Sequence, residues 1–83
     1  MQEFSDVSQD YINEQYRLIS RNVKKVRILN KYTQEQLALS MGFSTATFYT
    51  NAENNKRDKH FSIEHLIKIS KILDVEMEDF FKE

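Results

Sequence analysis

Thr33-Gln34-Glu35-Gln36-Leu37-Ala38 runs on to Met41-Gly42, and Ser44-Thr45-Ala46-Thr47 follows at once. Thr33 and Gln36 have the spacing of a capping box, in which the Thr33 hydroxyl accepts from the Gln36 amide while the Gln36 side chain returns to the Thr33 amide. Leu37, Ala38 and Met41 then form one inner face. Gly42 ends the helix, because the chain must turn there with φ > 0 and only glycine does so without steric cost. The next helix is predicted from Ser44 or Thr45, both good N-caps, through Phe48, Tyr49 and Ala52 to about Glu53. A short helix, a tight turn and a second helix entered by small hydroxyl residues describe a helix-turn-helix.

The flanking chain reads as helix on both sides. Before the motif, Ile12, Tyr16, Ile19, Val23 and Val26 recur at steps of four, three, four and three, which is one face of a long helix. It is expected to start near Ser8–Asp10 and end near Asn30, with residues 1–7 frayed. After the motif, residues 54–60 have no periodicity and read as a solvent loop. Ser62 is expected to cap a fourth helix with Ile63, Leu66, Ile67, Ile69, Ile72 and Leu73 on its apolar side and Glu64, Lys68 and Lys71 outside. A last short helix holds Met77, Phe80 and Phe81. The chain has one glycine, no proline and no cysteine, which fits long helices joined by short loops and excludes disulfides, thiol nucleophiles and thiolate metal sites. The expected fold is all-α, with five helices in one small domain.

The formal charge is only −1, but it is segregated. Four acids and no base leave residues 1–16 at −4, nine bases against three acids leave residues 17–59 at +6, and three bases against six acids leave residues 60–83 at −3. The basic segment holds the helix-turn-helix. No apolar run approaches the roughly 18 residues of a membrane helix, and the N-terminus lacks the regions of a signal peptide, so a soluble cytoplasmic protein is expected. His60 and His65 are too loosely spaced, and too short of a third ligand, for a metal site; they are expected at the surface. Glu76, Glu78, Asp79 and Glu83 read as a solvated face. No nucleophile set, phosphate loop or cofactor motif is present, and neither an enzyme nor a bound cofactor is expected.

A recognition helix must fit a major groove about 12 Å wide, with its first turn toward base edges. Thr45, Ala46 and Thr47, followed by Thr50 and Asn51, are small uncharged residues that can donate, accept or touch a thymine methyl. Gln34 stands at the start of helix 2, where amides and the dipole favour a phosphate. Lys56, Arg57 and Lys59 follow helix 3, placed to neutralise flanking backbone.

The stretch from Ile19 to Phe81 resembles the phage repressor and Cro type of helix-turn-helix, the XRE family. The residues that carry the likeness are Val23-x-x-Val26-Arg27, Tyr32-Thr33-Gln34-Glu35-Gln36-Leu37-Ala38, Gly42-Phe43-Ser44, Glu53-Asn54-Asn55-Lys56-Arg57, Ser62-Ile63-Glu64-x-Leu66-x-Lys68-Ile69 and Leu73-Asp74-Val75 before Phe80. The resemblance implies a lambda-repressor-like domain over residues 19–83, with residues 1–18 an extension that opens a lengthened helix 1. It implies sequence-specific binding of double-stranded DNA by a transcriptional regulator, a repressor acting as a homodimer. Gln34 looks like the glutamine that anchors helix 2 to a phosphate and steadies the first base contact. Arg27 and Glu53 match an ion pair joining helices 1 and 3 behind the DNA surface. Asn55, Lys56 and Arg57 match the loop that grips the sugar–phosphate chain.

The sequence departs from the family in the spacing from Gly42 to Glu53 and in the residues that follow Glu53. Glu53 lies eleven positions after Gly42, one more than is usual. Either the turn is longer and Thr45 caps helix 3, or Glu53 is shifted a step round the helix. The longer turn is preferred, because it puts Tyr49 and Ala52 inward, pairs Glu53 with Arg27, and leaves Thr47, Thr50 and Asn51 outward; the other register turns Phe48 inward and Tyr49 toward DNA. Asn55 stands where the family has glycine, and asparagine tolerates the left-handed conformation. No proline precedes helix 4, and Phe61 is placed to act as a hydrophobic staple there. Phe4, Tyr11, Ile12, Tyr16, Phe80 and Phe81 exceed what a minimal core needs and serve either to pad a lengthened helix 1 or to form a dimer interface. A DNA-binding antitoxin, a restriction–modification controller and a protein-interaction module on the same scaffold are alternative functions.

Overall fold

A computed structural model describes residues 6–83 as four α-helices and a 3₁₀-helix: α1 (Gln9–Leu29), α2 (Gln34–Ser40), α3 (Thr47–Glu53), α4 (Ile63–Leu73) and the 3₁₀-helix Met77–Phe81. Phe4 and most of the stretch expected to fray lie outside the described residues. The architecture is all-α, with the predicted fifth helix wound as 3₁₀. Among the described residues no helix is long and apolar enough to cross a membrane.

Each helix starts where its capping chemistry sits, except α3. Ser8 caps α1 by accepting from the Tyr11 amide. Thr33 and Gln36 form the complete capping box of α2, at 3.0 and 2.9 Å. Ser62 caps α4 through a second box, whose return arm is the His65 Nδ1 accepting from the Ser62 amide at 2.9 Å. The N-cap of α3 is Ala46, with no side-chain bond; neither Ser44 nor Thr45 caps it, and the Thr45 hydroxyl only meets the Thr47 amide at 3.4 Å. The chain enters late because the turn itself is packed. Phe43, Ala46 and Phe48 all lie against the core, and the Phe43 and Phe48 rings stand 5.2 Å apart.

The helices end alike although the chain has one glycine. In α1, α2, α3 and α4 the residue after the last turn is left-handed: Lys31 at φ 63°, Gly42 at 103°, Asn55 at 55° and Asp74 at 56°. Each is followed by an amide that returns to the carbonyl five residues earlier, as in Tyr32 to Arg27, Phe43 to Ala38, Lys56 to Asn51 and Val75 to Ser70. This is the Schellman closure, which satisfies carbonyls the helix leaves unpaired.

The core comprises Val23 from α1, Leu37, Ala38 and Met41 from α2, Tyr49 and Ala52 from α3, Phe61, then Leu66, Ile69 and Leu73 from α4, and Phe80. Phe61, directly before the Ser62 cap, is buried against Tyr49 with ring centroids 5.3 Å apart. The apolar side of α4 is narrower than predicted: Leu66, Ile69 and Leu73 are buried, whereas Ile63 and Ile67 are 62% and 54% exposed. α2 and the 3₁₀-helix cover only one stripe of α4, and those two isoleucines fall outside it. Of the apolar surplus, Phe80 is core, Tyr16 stacks on His60 at 3.7 Å, and Tyr11 and Phe81 are exposed. The C-terminal segment is tied to α1 by the Asn22 side chain, which donates to the carbonyls of Phe80 and Lys82 at 3.0 and 2.7 Å.

The left-handed caps generate opposite expectations for two substitutions. A Cβ on Gly42 would meet nothing within 4 Å, so Gly42→Ala costs only the backbone conformation, about 1 kcal/mol. Lys31→Gly relieves the same kind of strain and should raise stability by about 0.5–1 kcal/mol, net of the greater freedom of the unfolded chain. Urea midpoints should move in opposite directions with unchanged slopes.

Candidate nucleic-acid interface

Behind the outer face of α3 lies a buried polar cluster centred on the Glu53 carboxylate. Arg27 Nε donates to Oε2 at 2.9 Å, and its second arm donates to Oε1 at 3.2 Å. The Tyr49 hydroxyl, one turn back on α3, donates to Oε2 at 2.6 Å. The Gln34 amide, from the first turn of α2, donates to Oε1 at 2.8 Å. The remaining Arg27 arm donates to the Tyr32 carbonyl at 2.7 Å, just ahead of the α2 cap. One carboxylate therefore joins α1, α2 and α3.

The electrostatics follow from that geometry. Burial pushes the Glu53 carboxyl up, but the hydrogen bonds from Arg27, Tyr49 and Gln34 outweigh it and hold the group below the usual carboxylate value. Burial would lower the Arg27 guanidinium, and the bond and charge of Glu53 raise it instead. Burial raises the Tyr49 phenol, and donation to Glu53 raises it further, so Tyr49 stays a neutral donor.

This cluster sets what α3 shows to solvent. Tyr49 and Ala52 are fully buried and Glu53 is nearly so, which puts the register with the longer turn. Thr45 and Thr47 are exposed. Ala46 is half-buried against the core. Thr50 and Asn51 are also half-buried, and the Thr50 hydroxyl donates to Gln34 Oε1 at 3.1 Å. The Gln34 side chain is thus committed to Glu53 and Thr50 together, so α2 fixes the rotamer of a residue on the outer side of α3. Phe48, the residue the other register would bury, lies beside the core between Phe43 and His65.

The loop after α3 is held against α1 rather than left loose. The Ser20 hydroxyl donates to the Ala52 carbonyl at 2.9 Å and reaches Asn55 Oδ1 at 3.5 Å. Farther on, His60 lies flat on Tyr16, with an interplanar angle of 6°, and faces Asp58 at 3.3 Å. Asn55, Arg57 and Asp58 are left-handed, which coils the loop tightly enough to leave Lys56, Arg57 and Lys59 exposed between those anchors. Neither histidine is a plain surface residue: both are half-buried. Burial lowers the His65 pKa, which favours the neutral ring that accepts in the α4 cap.

The bases of α1 do not form one field with this loop. Arg17 lines a groove with Asn13, Asn55, Asp58 and His60. Arg21 shares a different groove with Glu14 and Glu83, and Lys25 a third with Asp79 and Glu83. The segment that sums to +6 is split by the fold between the α3 side and the C-terminal side.

The family model described as helix-turn-helix matches residues 23–80, which takes in the last third of α1, all of α2, α3 and α4, and all but the last residue of the 3₁₀-helix. The chain belongs to the XRE-type helix-turn-helix family. No curated protein and no solved structure matches it. The family is one of DNA-binding regulatory domains rather than enzymes, and its match supports sequence-specific DNA binding by a regulator of this type.

Several roles in the cluster are not visible in the family pattern alone. The Tyr49 bond to Glu53 has a local signal, the spacing of four that stacks side chains on one helical face. The His65 role has one too, since Ser62-x-x-His65 is a capping box with an imidazole in place of the usual Glu or Gln. The pairing of Gln34 with Thr50 has none, because it depends on how α2 and α3 pack.

Breaking the cluster from one side leaves a buried charge without its partner. Arg27→Met and Glu53→Gln should each cost about 3–5 kcal/mol, while Tyr49→Phe should cost about 1.5–3 kcal/mol. In a double-mutant cycle by urea unfolding, Arg27→Met with Glu53→Gln should be destabilised by clearly less than the sum of the single changes. Additive losses would show that the two side chains do not act as a unit.

Proposed function

We propose that the chain is a transcriptional repressor that binds a specific double-stranded DNA operator as a homodimer, with α3 in the major groove. The observation that carries this reading is the turn into α3 and its outer side: small, uncharged Thr45 and Ala46 ahead of the helix and Thr47, Thr50 and Asn51 on it, backed by the buried Glu53 cluster and followed by Lys56, Arg57 and Lys59. A side chain that reads bases must be held in one geometry, and the Gln34–Thr50 bond supplies that for the middle of α3. Thr47 and Asn51 stand one turn apart, and Asn51 makes no side-chain hydrogen bond among the described residues; an asparagine so placed can grip adenine through two bonds. Asn55, Lys56, Arg57 and Lys59 hold the phosphates flanking the contacted bases. Gln34 adds a phosphate contact through the amide proton that Glu53 does not use.

Two groups of substitutions test these roles on a duplex obtained by in vitro selection. Thr47→Ala or Asn51→Ala should lose about 1–3 kcal/mol on the selected site and little on random DNA, which relaxes specificity. Lys56→Ala should weaken every sequence alike and lower the slope of log K against log salt by about one. Equal losses on specific and random DNA for Asn51→Ala would remove it from the base-reading set.

A further inference from the structure

The outward face of α1 carries a charge order that its own helix does not explain. Asp10, Glu14, Arg21 and Lys25 are all exposed, and at roughly 100° per residue they share one stripe. Ile28, 53% exposed, continues it. Asp10 and Glu14 are like charges four residues apart, and so are Arg21 and Lys25; such pairs repel within a helix. Among the described residues none of the four takes part in an ion pair. The helix dipole favours acid in the first turn, which accounts for Asp10, but it fades before Glu14 and Arg21. The stripe is therefore acid at one end and base at the other, and among the described residues it forms no ion pair along its length even where Arg21 and Lys25 border grooves shared with Glu83 and Asp79.

We propose that this stripe is the contact face for a second copy of the chain, with the two α1 helices antiparallel about a two-fold axis level with Arg17 and Leu18. The proposal names the interface of the homodimer proposed above. In that arrangement Asp10 lies opposite the partner's Lys25 and Glu14 opposite the partner's Arg21, and symmetry makes each pair twice. Spacings that repel along one helix become attractive across two. The complementary partner is the same helix reversed, because only that order sets base against each acid and acid against each base. Arg17, about 20° beyond Asp10 round the helix, stands at the edge of the contact level with the axis, where it also lines the groove with Asn55 and His60.

The orientation also suits a DNA-binding dimer. α1 meets α3 through Ser20 and Arg27, on a face roughly a third of a turn from the stripe. A two-fold axis normal to the plane of the paired helices therefore keeps both α3 helices on one side. Most of the pattern, from Asp10 to Arg21, precedes the stretch matched by the family model. The contact is polar, and so it is salt-sensitive.

Sedimentation equilibrium on the full chain without DNA tests this. At about 50 mM NaCl a dimer is expected, and its Kd should rise about tenfold or more by about 500 mM. Glu14→Arg alone and Arg21→Glu alone should each weaken the dimer about tenfold or more. The double variant E14R/R21E reverses both partners of the pair and should bring Kd back to within about threefold of the unaltered chain. Both sites are exposed, and circular dichroism melts should show the fold intact in all three variants. A chain that stays monomeric at low salt overturns the interface and the homodimer together. A dimer that ignores the single changes, or that the double change fails to restore, overturns the interface alone.

Discussion

A single buried carboxylate organises this domain. Glu53 accepts from Arg27 on α1, Gln34 on α2 and Tyr49 on its own helix, so the relative placement of three helices converges on two oxygen atoms. Such a cluster is poor evidence of net stability, since the cost of taking a carboxylate and a guanidinium out of water offsets most of their attraction. What it provides is geometry. Arg27 alone would fix α1 against α3. The Gln34 bond brings in the start of α2, and the oxygen of that same side-chain amide accepts from the Thr50 hydroxyl. The side of α3 that faces solvent is thereby set by contacts made on the side that does not.

Much of the fold was legible because its signals are local. Thr33, Gln36 and Gly42 bound α2 by chemistry that needs no knowledge of the rest of the chain, and Ser62 does the same for the start of α4. Asn55 could be expected to take a left-handed conformation for want of a glycine there. The parts that were not legible depend on packing. The start of α3 moved from Ser44 or Thr45 to Thr47 because Phe43, Ala46 and Phe48 use the intervening residues to cover the core. Ile63 and Ile67 fit the apolar period of α4 as well as Leu66 does, yet only the tertiary arrangement decides which are covered. Lys31 and Asp74 close helices in a conformation neither residue prefers, since the returning amides of Tyr32 and Val75 satisfy carbonyls that would otherwise be unpaired.

The candidate site shows the same division. The residue types on α3 and in the following loop could be read from the chain, but their restraint could not. The Tyr16–His60 stack and the Ser20 bonds hold the long loop against α1, which converts a segment without periodicity into a platform for Lys56, Arg57 and Lys59. Likewise the central charge excess was evident in the sequence, whereas its partition was not: Arg17 goes to the α3 side, and Arg21 and Lys25 to grooves shared with carboxylates of the C-terminal segment.

Glu53 stays ionised inside the folded domain because its donors outweigh its burial. A carboxyl whose folded-state pKa lies below its unfolded value contributes stability that is present above the ordinary carboxylate range and lost as pH falls through the folded value. The direct measurement is the side-chain ¹³C carboxyl shift of Glu53 followed by NMR as pH is lowered. The shift should stay at its ionised value through the ordinary carboxylate value of 4.5 and change only below it, together with loss of the folded spectrum. Half-protonation of Glu53 at or above that value in a chain that remains folded would contradict the account.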